Sequence, residues 1–211
     1  MRSLPRYALL SLAAFALAPR APAGAPARDL GLGLSYYRIH ELPRDMPGAD
    51  PAHPGACILD LRFARAGEGD AARLAAWVRR AASQRTPIFV LENAMTAASL
   101  LAAVPGNGPT GLIVLAPLSA RIGPDIAVAV SPEADQQAYA ALEAGSPVDS
   151  LLRDYPDKPR IDEAYLEKEH IADSDAPDIP TDKPLPPRPL VDAMLQRAVQ
   201  LHRGLLALKK I

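Results

Sequence analysis

The sequence predicts an α/β fold in which βαβ units build a mostly parallel sheet and an amphipathic C-terminal helix packs against it. Short, continuously apolar runs are typical of strands buried on both faces, and helical patterns alternate with these runs along the chain. This alternation requires right-handed crossovers between parallel strands. The apolar runs are ACILDL (56–61), PIFVL (87–91), GLIVL (111–115) and IAVAV (126–130).

Residues 1–27 have the pattern of a signal peptide. Arg2 and Arg6 give a basic start, residues 8–18 form an apolar run, and residues 25–27 offer an A-x-A-like cleavage site. The run is shorter than the ~20 apolar residues needed to span a bilayer. We therefore expect an exported protein, with no membrane span after the signal is removed.

The charge balance excludes some classes of partner. Removal of residues 1–27 takes three arginines from the 23 basic residues and leaves all 24 acidic ones, for a net charge of −4. This balance argues against nucleic acid and anionic membranes as partners. The single Cys57 cannot form an internal disulfide, and its apolar neighbours predict a small buried side chain.

The segment 28–55 precedes the predicted core. Its alternating pattern around residues 36–39 predicts a lead-in strand, and three later prolines predict an irregular loop. The α/β core is expected to span residues 56–154. Within it, Asp70 is predicted to cap the first helix, and Thr96 is predicted to cap a second helix over residues 95–104.

The last third of the chain contains two clear helix signals. Ser131-Pro132-Glu133 places a capping serine and a proline at the start of a helix that is expected to end before Gly145. A short helix is predicted over 148–154, and residues 155–189 are rich in proline and charge, which favours a surface connection. Residues 190–211 predict the C-terminal helix, with polar side chains facing solvent: Asp192, Gln196, Arg197 and Arg203.

The order of three motifs resembles the core of the S41 family, the carboxyl-terminal processing or tail-specific peptidases. These motifs are ILDLR (58–62), PIFVLENAMTAAS (87–99) and GLIVLAP (111–117), followed by the final helix. The resemblance covers about residues 56–130 together with that helix, and it implies a ClpP/crotonase-like core. It also implies a Ser–Lys dyad, with the serine directly after the Thr-Ala pair and the lysine in the following strand–loop unit.

The chain departs from that pattern at the catalytic positions. Ala98 stands where the nucleophile is expected, and Ser99 is turned away from that position by about 100° on a helix. Residues 116–130 contain no lysine, and their one basic residue, Arg121, stays charged and accepts no proton. The glycine-rich loop expected after the first motif is replaced by residues 63–66, with glycine only from Gly67 onward.

We therefore expect a catalytically inactive peptidase-like protein that acts as a binding or scaffold module for a protein or peptide partner. The resemblance implies that it works in the envelope of a bacterium, in the periplasm or outside the cell. The alternative is a serine hydrolase or peptidase that uses Ser99, although a small packing residue or a hydroxyl bonded to the backbone is the commoner role of such a serine. A weaker alternative is a metal- or small-ligand-binding envelope protein that uses the acidic segment 167–178, where Glu167 and His170 lie three residues apart.

Residues for ligand binding are expected beyond the carboxyl ends of the strands, where ligands bind in open α/β sheets. For Asp60 and Arg62 we favour a structural role that ties a neighbouring segment to the strand end. No cofactor and no metal site are predicted, and a homo-oligomer is suggested only by analogy with the fold. The candidates are Asp60, Arg62, Gly67, Asn93, Thr96 and Arg121.

Overall fold

The computed structural model describes residues 26–48, 55–83, 85–120, 123–152 and 189–211, which form an α/β fold around one six-stranded sheet. The expected mostly parallel sheet with a C-terminal helix is confirmed. The strands are β1 (Arg28–Asp29), β2 (Ser35–Arg38), β3 (Cys57–Asp60), β4 (Ile88–Leu91), β5 (Leu112–Pro117) and β6 (Ile126–Val128).

The strands are arranged in the order of the chain, β1 to β6. Strands β2 to β6 are parallel, and only β1 at the edge is antiparallel to its neighbour. Asp60 is paired with Arg38 on one side and with Leu91 on the other, so these strands end level with one another. We call this end of the sheet the carboxyl edge.

Helices cover both faces of the sheet. The first face carries α1 (Glu68–Ala81) and α2 (Ala98–Ala103), because two right-handed crossovers that advance in the same direction place their helices on the same side. The second face carries the remaining helices, and each face buries its own apolar cluster. Those helices are α3 (Pro132–Glu143), a 3-10 helix (Val148–Leu151) and α4 (Ala193–Ala207).

Two of the expected helix starts are wrong and one is confirmed. Helix α1 begins after Gly67, so Asp70 lies in its first turn and is not its cap. Helix α2 begins only at Ala98, because the Thr96 hydroxyl bonds elsewhere and leaves the helix without a side-chain cap. The Ser131 hydroxyl accepts a hydrogen bond from the backbone N–H of Ala134, which confirms the predicted cap of α3.

Asp192 corrects another expectation. It was predicted to face solvent, but its side chain is only 1% exposed, and its carboxylate caps α4 by accepting from the N–H of Leu195. Cys57 is buried and free, as expected, and burial raises the pKa of its thiol to about 12. Across the described ranges, no helix has the length and apolarity to cross a bilayer.

Several predicted features lie outside the described residues. They are residues 1–25 of the expected signal peptide, nearly all of the 155–189 connection, the candidate Arg121 and the acidic segment 167–178.

Candidate functional site

A buried network of charges lies at the carboxyl edge, on the second face of the sheet. Arg62 and Asp60 are completely buried, and Asp135 and Asp192 are nearly so. The guanidinium of Arg62 forms two bonds to Asp60, at 2.7 and 2.9 Å, one to Asp135 at 2.8 Å, and two to Asp192, at 2.8 and 3.1 Å. All five N–H donors of the guanidinium therefore have an acceptor.

Two neutral side chains complete this network. Tyr36 donates from its hydroxyl to Asp60 at 2.8 Å, and Asn93 donates from its amide to Asp135 at 2.9 Å. We call the six residues the Arg62 cluster: Tyr36, Asp60, Arg62, Asn93, Asp135 and Asp192. Because they come from β2, β3 and the residues after it, the loop after β4, α3 and the cap of α4, the cluster joins α3 and α4 to the end of the sheet.

The electrostatics of the Arg62 cluster follow from its burial. Burial lowers the pKa of Arg62, but the carboxylates of Asp60 and Asp192 more than offset this, so the pKa stays well above its usual range and the guanidinium is charged. Burial, together with the negative charge of Asp60, raises the pKa of Tyr36, so its hydroxyl keeps its proton and donates it. The donors and acceptors face one another, and this arrangement is suited to holding the fold together.

Four sequence-predicted ligand candidates meet in or beside the Arg62 cluster. They are Asp60, Arg62, Asn93 and Thr96, whose hydroxyl accepts from the N–H of Asn93 and donates to the carbonyl of Leu61. Gly67 lies apart, exposed at the start of α1. The side chains of the other four candidates all have hydrogen-bond partners within the protein: Asp60, Arg62, Asn93 and Thr96.

Sequence reasoning missed Tyr36, Asp135 and Asp192 as members of the Arg62 cluster. A signal for Asp135 exists, because it precedes the buried Ala138, Tyr139 and Leu142 by three, four and seven residues. That spacing places a carboxylate on the core-facing stripe of α3, where an unpaired charge would be costly. A basic partner from another element could have been inferred from it.

The turn that resembles a nucleophile site is accessible to solvent. Ala98 opens α2, is exposed, and together with Ser99 lines an open groove of about 580 Å³ between α1 and α2. The hydroxyl of Ser99 donates to the backbone carbonyl of Ala66 at 2.8 Å. A carbonyl oxygen accepts this hydrogen bond but is not basic enough to take the proton.

Glu92 directly follows β4 and is the most unusual carboxyl group at the carboxyl edge. Its side chain is fully buried, and among the described residues neither of its carboxyl oxygens has a hydrogen-bond partner. Burial raises its pKa to about 8, so the group is mostly protonated and neutral at pH 7.

Two depressions open at the carboxyl edge, on either side of Phe63. The first is a small, mainly apolar pocket of about 150 Å³ between Phe63, Met95 and Pro117. The second is wider, about 500 Å³, and we call it the polar depression. Its lining side chains are His40, Glu41, Phe63, Arg65, Gln136, Tyr139, Ala140 and Glu143.

Within the described part of the chain, no three His, Cys, Asp or Glu side chains converge in a way that could hold a metal ion. The acidic segment 167–178 lies outside that part, so the weaker metal-binding alternative stays a prediction.

No family model, curated protein or solved structure matches the chain. The resemblance to the S41 peptidases therefore stays a hypothesis that rests on the order of the sequence motifs.

Proposed function

We propose that this chain is a peptidase-like protein without peptidase activity, which serves as a binding or scaffold module for a protein or peptide partner in the bacterial envelope. Export is supported by the apolar run 8–18 and the cleavage pattern at 25–27. The loss of catalysis is supported by the residues around the start of α2.

The observation that carries the proposal is the hydrogen bond from Ser99 to the carbonyl of Ala66. A serine becomes a nucleophile when a neighbouring base takes its proton. Among the described residues, no lysine or histidine side chain is hydrogen-bonded to Ser99, and the preceding position is occupied by Ala98, which has no hydroxyl. The turn is thus accessible, but its one hydroxyl is bonded to the backbone and no base among the described residues is placed to take its proton.

A fluorophosphonate probe tests the loss of catalysis, because it labels activated serines. We expect no label on the wild-type chain beyond the level seen with Ser99→Ala. Labelling that is clear in the wild type and disappears in Ser99→Ala would support the hydrolase alternative and overturn the proposal.

The binding role is tested at the groove that Ala98 lines. Ala102 is exposed on α2 and lines the same groove, so Ala102→Arg should block a partner there. The matched control is Ala144→Arg, since Ala144 is exposed at the end of α3 on the opposite face. We expect a partner captured from envelope extract to be lost with Ala102→Arg and kept with Ala144→Arg. Equal capture by both variants would contradict a partner site in this groove.

A further inference from the structure

We propose that the polar depression binds a small zwitterion of the α-amino acid class, with an apolar or aromatic side group. In this assignment Arg65 pairs with the carboxylate, Glu41 pairs with the ammonium group, and Phe63 packs against the side group. This inference goes beyond the proposed function, because it concerns a small molecule at a different surface, and it holds whether or not Ser99 is reactive.

Two of the titratable groups that line the polar depression, Glu143 and His40, already have partners. Glu143 accepts from the guanidinium of Arg38 at 2.6 Å, and its same oxygen lies 3.2 Å from Nδ1 of His40. The hydroxyl of Tyr139 lies 3.4 Å from the same His40 nitrogen. Because these contacts engage Glu143 and orient His40, neither is the first choice for a charged ligand.

The other two charged groups, Arg65 and Glu41, lie side by side without pairing. Their backbones form an isolated parallel bridge, and the N–H of Arg65 donates to the carbonyl of His40. Residues paired in this way lie about 4.8 Å apart and project their side chains to the same side. Both side chains are exposed, and within the described chain neither one forms an ion pair. An α-amino acid carries an ammonium group and a carboxylate on the same carbon. These two groups are close enough together to contact Glu41 and Arg65 at once.

An aromatic wall lies beside these charges. The ring of Phe63 packs against the ring of Tyr139, with their centroids 4.7 Å apart, and the guanidinium of Arg38 lies 4.3 Å from the Tyr139 ring centroid. Tyr139 is buried and fixed, whereas Phe63 is only partly buried and offers apolar surface to the depression. An apolar side group of the ligand would cover that surface.

The backbone of Phe63 is a second, independent reason to assign a role to this place. Phe63 has φ of +61°, a left-handed conformation that is uncommon for a bulky side chain. Strained residues of this kind cluster at binding sites, where the surrounding structure holds them. Here the conformation places the ring between the apolar pocket and the polar depression, so that it forms a wall of both.

Three matched probes test the assignment by NMR titration of the full chain. L-phenylalanine carries both charges, 3-phenylpropionate lacks the ammonium group, and phenethylamine lacks the carboxylate. We expect L-phenylalanine to bind about 2- to 5-fold more tightly than either analogue, the range for one exposed ionic contact. The largest chemical-shift changes caused by L-phenylalanine should be those of Phe63, Arg65 and Tyr139. In Arg65→Gln, we expect the affinity for L-phenylalanine to fall to the affinity for phenethylamine. In Glu41→Gln, we expect it to fall to the affinity for 3-phenylpropionate.

The control variant is Arg73→Gln, because Arg73 is an exposed arginine on α1, away from the polar depression, and its ion pair within the described ranges is with Asp70 of its own helix. It should bind all three probes as the wild type does. The inference is overturned if L-phenylalanine causes no shifts at the polar depression or if the three probes bind equally. It is also overturned if Arg65→Gln and Arg73→Gln have the same effect. Each of these results leaves the fluorophosphonate experiment unaffected, so the two proposals fail separately.

Discussion

The Arg62 cluster and the Ala98–Ser99 turn lie at the same end of the sheet and differ in almost every physical respect. The Arg62 cluster contains four charged side chains, is closed to solvent, and has an acceptor for every guanidinium donor. The turn is open to solvent, carries no charge, and has its one hydroxyl bonded to the backbone. The buried charges are thus held by one another, whereas the accessible turn has its hydroxyl held by the backbone.

Burial explains why the Arg62 cluster serves the fold. Removing an arginine from water is costly, and the cost is offset only when carboxylates and hydrogen bonds surround it with good geometry. Asp60 comes from β3, Asp135 from α3 and Asp192 from the cap of α4, so the three carboxylates bring three elements to one point. Loss of the guanidinium would leave three buried carboxylates without their cation.

The largest expected effect is therefore that of Arg62→Met. We expect the free energy of unfolding to fall by about 3–5 kcal/mol, the range measured when one partner of a buried ion pair is removed. Urea denaturation followed by circular dichroism measures the change. The control Arg73→Met, at a side chain that is 74% exposed, should stay within about 0.5 kcal/mol of the wild type.

The same measurement can contradict the structural role of the Arg62 cluster. If Arg62→Met and Arg73→Met unfold at the same urea concentration, the Arg62 cluster does not hold α3 and α4 to the sheet. Its charges would then have to be explained by binding.

Much of the fold could be predicted from local sequence patterns, because apolar runs and helix starts depend on neighbouring residues. The runs at 56–61 and 87–91 contain β3 and β4, and Ser131 caps α3 as predicted. Asp192 shows the limit of this approach. The helix cap, the burial and the contact with Arg62, which is 130 residues away, all depend on tertiary structure, so the helical pattern alone suggested an exposed carboxylate.

The site was harder to predict than the fold for the same reason. The sequence placed Asp60 and Arg62 correctly at a strand end, but the partners on α3 and α4 come from distant segments. The start of α2 was misplaced because Thr96 bonds to Leu61 in a neighbouring segment, an interaction that local capping rules do not include.

Glu92 is a buried carboxyl group that contrasts with those of the Arg62 cluster. It is as buried as Asp60, yet its side chain has no hydrogen-bond partner among the described residues. Its pKa is raised to about 8 in the folded chain, while the unfolded chain has the ordinary value of 4.5. Between these two values the folded state binds more protons, so stability falls as pH rises from about 4.5 to 8 and then levels off. Glu92→Gln keeps the shape without the charge, so it should remove this loss.

We expect Glu92→Gln to equal the wild type near pH 4.5 and to exceed it by a few kcal/mol above pH 8, since each pKa unit corresponds to about 1.4 kcal/mol. Urea denaturation at several pH values gives the two curves, and Glu68→Gln, at an exposed glutamate on α1, is the control. Parallel curves for Glu92→Gln and the wild type would mean that this carboxyl has a partner or contacts water.

The smallest effect on the free energy of unfolding is expected for Ser99→Ala, in the solvent-accessible turn. The variant removes one hydrogen bond to the carbonyl of Ala66, so the free energy of unfolding should fall by about 1 kcal/mol. Ser119→Ala is the matched control, because Ser119 is a more exposed serine that lies outside α1 and α2. Urea denaturation distinguishes the two variants. If both leave stability unchanged, the Ser99 hydroxyl is not bonded to the backbone, and its proton would be available to a base, as the hydrolase alternative requires.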